Sequence, residues 1–188
     1  MELKGFRALD PDGYLKKYEL LYEGENASKR YEIVSRHSYS NVSEIGSKVD
    51  GVSMVVFRGK KLLLLHEFRL GIARSIYNLC AGMALPEETI EDCCKRELQE
   101  ETGLTLTKIL AIFPPSFASV AISDVRTQIA FVKAEGEPRA SEDETEPITS
   151  KFYTKQQVKK LLKTEEFSSR AQMMAYFFSE GLFDGMFL

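Results

Sequence analysis

The sequence contains only three cysteines, Cys80, Cys93 and Cys94, and their spacing argues against a disulfide or a zinc site. No two of them form a C-x-x-C pair, and adjacent residues on a helix point in different directions, so Cys93 and Cys94 do not face a common ligand. The three residues are therefore predicted to be reduced, mostly buried thiols.

Long apolar runs are also missing. The longest aliphatic run covers residues 62–65, far short of the roughly 20 residues that span a bilayer. The N-terminal residues lack the apolar core of a signal peptide. These absences predict a cytoplasmic protein with no membrane partner.

A strong excess of charge of one sign is absent as well. The chain has 25 basic and 28 acidic residues, a net charge of −3 and a pI near 5.6. Such a balance gives no general attraction to nucleic acid, which is not expected as a partner, and a polyanionic ligand would need a metal or local cations. With 188 residues and no internal repeat, the chain is large enough for one well-packed core with a small appendage.

The stretch 82–104 predicts a loop followed by a helix. Pro86 suits a position near a helix start, acidic residues follow where the helix dipole favours negative charge, and Gly103 allows a left-handed ending. Apolar residues at every fourth position form the predicted buried stripe: Ile90, Cys94 and Leu98.

The other face of this helix carries Glu97, Glu100 and Glu101, at spacings of three and four residues, with Arg96 beside them. The three carboxylates are expected to point into one small volume. Like charges this close raise one another's pKa values, and a divalent cation with oxygen ligands removes the repulsion. The residues alone leave two interpretations, a Mg²⁺ site or a solvated acidic helix face.

The same stretch resembles a complete Nudix box, G-x5-E-x7-R-E-U-x-E-E-x-G-U, in which U is aliphatic. All nine constrained positions match: Gly82, Glu88, Arg96, Glu97, Leu98, Glu100, Glu101, Gly103 and Leu104. The resemblance implies an α/β/α sandwich with a mixed central sheet. It also implies a Mg²⁺-dependent hydrolase, with Mn²⁺ as the alternative ion, that acts on nucleoside diphosphates linked to another group.

The resemblance further implies roles for individual residues of the box. The implied metal ligands are the main-chain carbonyl of Ala81 and the carboxylates of Glu97, Glu100 and Glu101, and the three glutamates are also the implied catalytic residues. Arg96, counted with the catalytic residues, is expected to form an internal salt bridge with Glu88 that fixes the loop on the helix. Gly82 is counted with the substrate-binding positions.

Residues 1–48 are predicted to form a small antiparallel sheet ahead of a Nudix domain at 49–188. Aromatic and β-branched runs at 14–22 and 29–36 flank a polar turn, which predicts a hairpin. Two or three strands do not bury themselves alone, so the sheet must pack on the main domain or on another subunit.

Residues 31–36 resemble the aromatic-Glu-x-Val-x-Arg strand of the ADP-ribose pyrophosphatase branch of the Nudix family. In that branch a similar sheet builds the homodimer and part of the substrate pocket. The resemblance implies a homodimer in which Tyr31 stacks on the base and Arg36 contacts pyrophosphate or ribose; the alternatives are an aromatic core residue and a surface arginine. Arg69 likewise resembles a substrate-binding arginine that ends a strand of that branch.

Residues 119–124 resemble the Ser-Pro-Gly-x-Ser-Asp segment of the branch, although Val120 and Ala121 replace its proline and glycine. ADP-ribose is therefore the favoured substrate. The branch places its general base on a loop ahead of a late strand, which makes Glu146 the first candidate and Glu144 the second, with a glutamate of the box as the alternative.

The remaining chain alternates strand and helix patterns. The runs 52–57 and 61–68 flank an Arg-Gly-Lys turn and are expected to pair antiparallel. Further strands are predicted at 107–113, 126–133 and 148–153, and helices at 155–163 and 168–181.

Together these features predict a Nudix pyrophosphohydrolase that converts ADP-ribose or a related nucleotide sugar into a nucleoside monophosphate and a sugar phosphate. One alternative is hydrolysis of a dinucleoside polyphosphate or another sugar nucleotide. The alternative from another class is a non-catalytic module that senses a nucleotide sugar.

Overall fold

The computed structural model describes residues 1–10, 12–141 and 147–187. These residues divide into two compact units. The first contains the residues up to Asp50 together with Pro115–Thr127. The second contains Gly51–Pro114 and the chain from Gln128 onward.

The first unit is built on a three-stranded antiparallel sheet in the order β1 (Glu2–Asp10), β2 (Lys16–Glu23) and β3 (Ser28–Ser35). The predicted hairpin is the β2–β3 pair, which confirms the small N-terminal sheet. Its core is formed by Tyr18 and Leu20 of β2 and Ile33 of β3.

The segment Pro115–Thr127 packs with this sheet, which the sequence pattern did not indicate. The backbone N–H of Val34 donates to the Ile122 carbonyl at 2.8 Å, and the Tyr31 hydroxyl donates to the Ala121 carbonyl at 2.6 Å. Within the segment, strand β9 (Ser116–Phe117) pairs with Arg126 and Thr127. The N-terminal sheet therefore holds the loop whose sequence resembles the Ser-Pro-Gly-x-Ser-Asp segment of the ADP-ribose pyrophosphatase branch.

The second unit contains the main, mixed sheet. Its strands follow the order β11-β5-β4-β10-β8, with β6 beside β5 and β7 beside β4. The ranges are β4 (Gly51–Arg58), β5 (Lys61–Arg69), β6 (Arg74–Asn78), β7 (Cys80–Met83), β8 (Thr105–Ile112), β10 (Arg126–Glu135) and β11 (Ile148–Tyr153). The predicted β4–β5 pair is antiparallel, and Gly59 makes its turn with φ 54°.

Alternating residues of the central strands build two separate cores. Val52, Met54 and Val56 of β4 contribute to one core, whereas Val55 and Phe57 contribute to the other. The first core lies against helix α1 (Ile90–Thr102), and the second lies against α2 (Lys155–Thr164) and α3 (Ser169–Ser179). Since adjacent strand residues point to opposite faces, the sheet is covered on both faces, which confirms the α/β/α sandwich.

Helix α1 begins one turn later than the position of Pro86 suggests. Thr89 is its N-cap and accepts a hydrogen bond from the Asp92 N–H at 3.1 Å. Glu91 and Asp92 occupy the first turn, where the dipole favours negative charge. Gly103 ends the helix at φ 71°. Pro86 lies in the preceding loop.

The three cysteines are free and buried, as the spacing predicted. At thirteen residues α1 is the longest helix in the described ranges, and none of these helices is long and apolar enough to cross a membrane.

Candidate active site

The centre of the candidate site is the close approach of Glu97 to Gly82. A Cβ atom on Gly82 would lie 1.7 Å from Cδ of Glu97. Only a glycine therefore leaves room for this carboxylate against strand β7. The contact requires both the β4–β7 pairing, which sets Gly82 opposite Val52, and the packing of α1 on that strand.

Glu101 lies one helical turn further along α1, beside the preceding residue of β7. The Ala81 N–H donates to Oε2 of Glu101 at 3.2 Å. Burial raises the pKa of the Glu101 carboxyl to about 8, the Cys80 thiol and the Ala81 N–H lower it, and the charges of Glu67 and Glu97 raise it further. Glu101 is therefore a carboxyl group that retains its proton at neutral pH unless a positive charge approaches.

Arg96 ties the loop before α1 to the helix through three carboxylates. Its Nε and Nη2 donate to the two oxygens of Glu88, each at 2.8 Å, and Nη2 also donates to the Met83 carbonyl at 2.9 Å. Its Nη1 donates to Glu97 at 2.7 Å and to Glu100 at 3.1 Å. The hydrogen bonds from Arg96 lower the pKa of Glu88 to about 2. The expected Arg96–Glu88 pair is thus formed in bidentate geometry.

The three glutamates of α1 differ in exposure, so they do not all point into one small volume as the sequence predicted. The Glu97 side chain is 13% exposed, whereas that of Glu100 is 59% exposed. Glu100 lies on the flank of the helix, where it pairs with Arg96. The structure therefore brings Glu97 and Glu101 together and leaves Glu100 toward solvent.

A fourth carboxylate, Glu67, was missed by the sequence analysis. It is 4% exposed on β5, accepts a hydrogen bond from Nδ2 of Asn78 at 2.6 Å, and lies 3.6 Å from Nη1 of Arg69. The signal was present in the alternation of β5, because Leu63 and Leu65 face the α1 core and Glu67 continues that register. Arg69, which is half exposed, therefore lies beside Glu67, in the same unit as the helix carboxylates.

The donor set suits a hard divalent cation. Within 1–10, 12–141 and 147–187, no three His, Cys, Asp or Glu side chains are arranged to hold a metal by themselves. Mg²⁺, however, is usually held by one or two carboxylates with waters and substrate phosphates. Glu97 and Glu101 supply two carboxylates, and because burial raises the pKa of Glu101, a cation beside it would favour its ionised form.

Four further residues were predicted to belong to the site. Tyr31 and Arg36 belong to the first unit, where Arg36 donates to the Tyr14 hydroxyl and lies 5.3 Å from the centre of its ring. Glu144 and Glu146, the candidates for the general base, lie outside the described residues.

A sheet covered on both faces, with Gly82 of strand β7 facing Glu97 of α1, is typical of a Nudix-type protein. The family model of the NUDIX domain matches residues 47–177, more than two thirds of the chain. The chain therefore belongs to the Nudix family, which confirms the prediction of a Nudix hydrolase; such hydrolases generally use divalent metal ions.

The chain is also similar to the crystal structure of an ADP compounds hydrolase. The TM-score is 0.67 at 20% identity, over 98% of this chain and 97% of that chain. At this identity the similarity shows a common fold.

Proposed function

We propose that this protein hydrolyses the pyrophosphate bond of ADP-ribose or a related nucleotide sugar, with Mg²⁺ as its metal ion. The products would be a nucleoside monophosphate and a sugar phosphate. The observation that carries the proposal is the pair of carboxylates, Glu97 and Glu101, held against the backbone of Ala81 and Gly82. The shared fold with a hydrolase of ADP compounds supports an ADP-containing substrate.

When bound, a divalent cation would polarise the phosphoryl oxygens and assist the attack of water. The chain's own residues prepare this site in two ways. Arg96 fixes the Glu97 carboxylate through its Nη1 at 2.7 Å, and the Ala81 N–H orients Oε2 of Glu101. Arg69, held near Glu67, is free to bind phosphate oxygens through its exposed guanidinium edge.

A general base is needed to accept the proton of the attacking water. We propose Glu146 for this role, with Glu144 as the second candidate, on the resemblance of their loop. Glu100 is the alternative on the helix, since its 59% exposed side chain is accessible to water.

We further propose a cytoplasmic homodimer in which Tyr31 stacks on the base and Arg36 contacts the pyrophosphate or ribose. Both side chains belong to the first unit, and the Tyr31 hydroxyl is bonded to the loop that contains Ala121. A non-catalytic sensor is less favoured, because binding alone does not require two glutamates placed close together against strand β7.

The test is product release from a panel of nucleotide sugars and dinucleoside polyphosphates, with Mg²⁺ and with a chelator. We expect Mg²⁺-dependent release of AMP from ADP-ribose. Glu101→Gln should lower turnover by about a thousandfold, because it removes a metal ligand, whereas Glu91→Gln, an exposed first-turn control, should be as active as wild type.

Failure of the wild-type protein to turn over any compound of the panel would favour the sensor. Turnover of the dinucleoside polyphosphates alone would refute the proposed substrate class and support the proposed catalytic site.

A further inference from the structure

A small polar cavity lies in the second unit, beside strand β7. Its volume is about 180 Å³, and the lining residues that concern its chemistry are Ser53, Asn78, Ala81, Ser168, Ser169 and Arg170. Ligand pockets usually measure roughly 300–1,000 Å³. The cavity therefore suits one small group of a ligand and is too small for a whole nucleotide.

Arg170 is the only charged residue among these lining residues, and its environment is unfavourable for a cation. It lies in the first turn of α3, directly after the N-cap Ser168 and Ser169, where the helix dipole disfavours positive charge. Burial also lowers the pKa of its guanidinium. Both effects would be relieved by a negative charge in the cavity.

Among the described residues, no carboxylate forms an ion pair with Arg170. Its Nη1 donates to the hydroxyl of Ser53. A neutral hydroxyl satisfies one of the five N–H donors of a guanidinium and leaves its charge uncompensated. Such a planar group, flanked by hydroxyls, suits the oxygens of a phosphoryl group.

The cavity adjoins the candidate active site through Ala81. This residue lines the cavity, and its N–H donates to Oε2 of Glu101 at 3.2 Å. A phosphoryl group held by Arg170 would therefore lie beside Ala81 on the sheet face toward α3, against the same strand β7 whose other face Glu97 approaches.

We propose that Arg170 is a substrate-binding residue whose guanidinium, with the hydroxyls of Ser53 and Ser169, binds one phosphoryl group of the substrate in this cavity. The proposal rests on the proposed function for the identity of the anion. The binding step itself forms and breaks no covalent bond.

The first experiment measures binding of inorganic phosphate to the chelator-treated full chain by calorimetry, so that it is independent of catalysis. Arg170→Met, which keeps the length and removes the charge, should raise the Kd for phosphate by about 10- to 100-fold, the value of hydrogen bonds to a charged group. Lys159→Met, which removes an exposed cation paired with Glu180, is the control and should bind phosphate as wild type does.

The second experiment measures KM and kcat for the best substrate of the panel with the same variants. Arg170→Met should raise KM about tenfold or more. Inorganic phosphate should inhibit this variant less than it inhibits the wild-type protein. A normal KM with weakened phosphate binding would overturn the assignment to the substrate and point to a free anion instead.

A purely structural arginine gives a different result. Arg170→Met would then lower the melting temperature and bind phosphate with wild-type affinity, whereas loss of an uncompensated cation should leave the melting temperature unchanged or raised. If Arg170→Met does not fold, Arg170→Lys is measured instead. It keeps the positive charge and loses the planar guanidinium that binds two oxygens at once. Wild-type phosphate affinity in Arg170→Lys would overturn the proposal.

Discussion

Replacement of Glu101 by glutamine should abolish a pH dependence of stability that the metal-free protein owes to this side chain. The pKa of Glu101 is raised from 4.5 to about 8, chiefly by burial. The folded state therefore binds the proton more tightly than the unfolded state does. The resulting stabilisation is fully present below pH 4.5 and is lost as the pH rises through 8.

The size of the effect follows from the two pKa values. Between pH 6 and pH 9, loss of the Glu101 proton should lower the free energy of unfolding by about 2–3 kcal/mol. Mg²⁺ at a hundredfold excess over its Kd should raise the free energy of unfolding at pH 9 by about 2.7 kcal/mol. Glu101→Gln should show neither change, because a neutral amide does not titrate and is a poorer metal ligand.

Urea denaturation at pH 6, 7.5 and 9, with chelator and with Mg²⁺, measures both quantities. Glu91→Gln is the matched control, since this exposed first-turn glutamate lies outside the proposed metal ligands and its removal should leave the wild-type profile unchanged. Parallel profiles for wild type and Glu101→Gln would refute the description of Glu101 as a buried acid.

Three further predictions concern the site and the assembly. Gly82→Ala should leave the fold largely intact but force the Glu97 carboxylate away, since a Cβ atom would lie 1.7 Å from its Cδ; Mg²⁺ affinity by calorimetry should fall, and wild-type affinity would contradict this. Glu146→Gln should lower kcat by about 10²–10⁴ at unchanged Mg²⁺ affinity, the usual effect of losing a general base; normal kcat would transfer the role to Glu144 or Glu100. Light scattering should give twice the 21.3 kDa chain mass, and a monomer at micromolar concentration would argue against Tyr31 as a cross-subunit contact.

The sequence was most informative where local rules determine structure. Helix α1, its glycine end and its apolar stripe follow from spacing, and the alternation in β4 and β5 predicts their pairing. For the helix start, Pro86 indicated only the neighbourhood, and the hydrogen bond from the Asp92 N–H to Thr89 defines the N-cap.

The burial of each glutamate could not be predicted from its spacing in the sequence. Helical periodicity gives the direction of a side chain, but burial depends on what packs against that direction. Strand β7 approaches Glu97 and Glu101, whereas Glu100 is rotated toward solvent. The association of Ala121 with Tyr31, ninety residues away in the chain, likewise has no local signal.

The buried thiols make the protein convenient for site-specific labelling. Burial raises the pKa of Cys93 and Cys94 to about 12 and that of Cys80 well above its ordinary value, so all three remain protonated and unreactive at neutral pH. A cysteine introduced at Val120, which is 75% exposed, would be the single thiol open to a maleimide dye. A fluorophore there would test the proposed nucleotide binding at this loop without prior removal of the native cysteines.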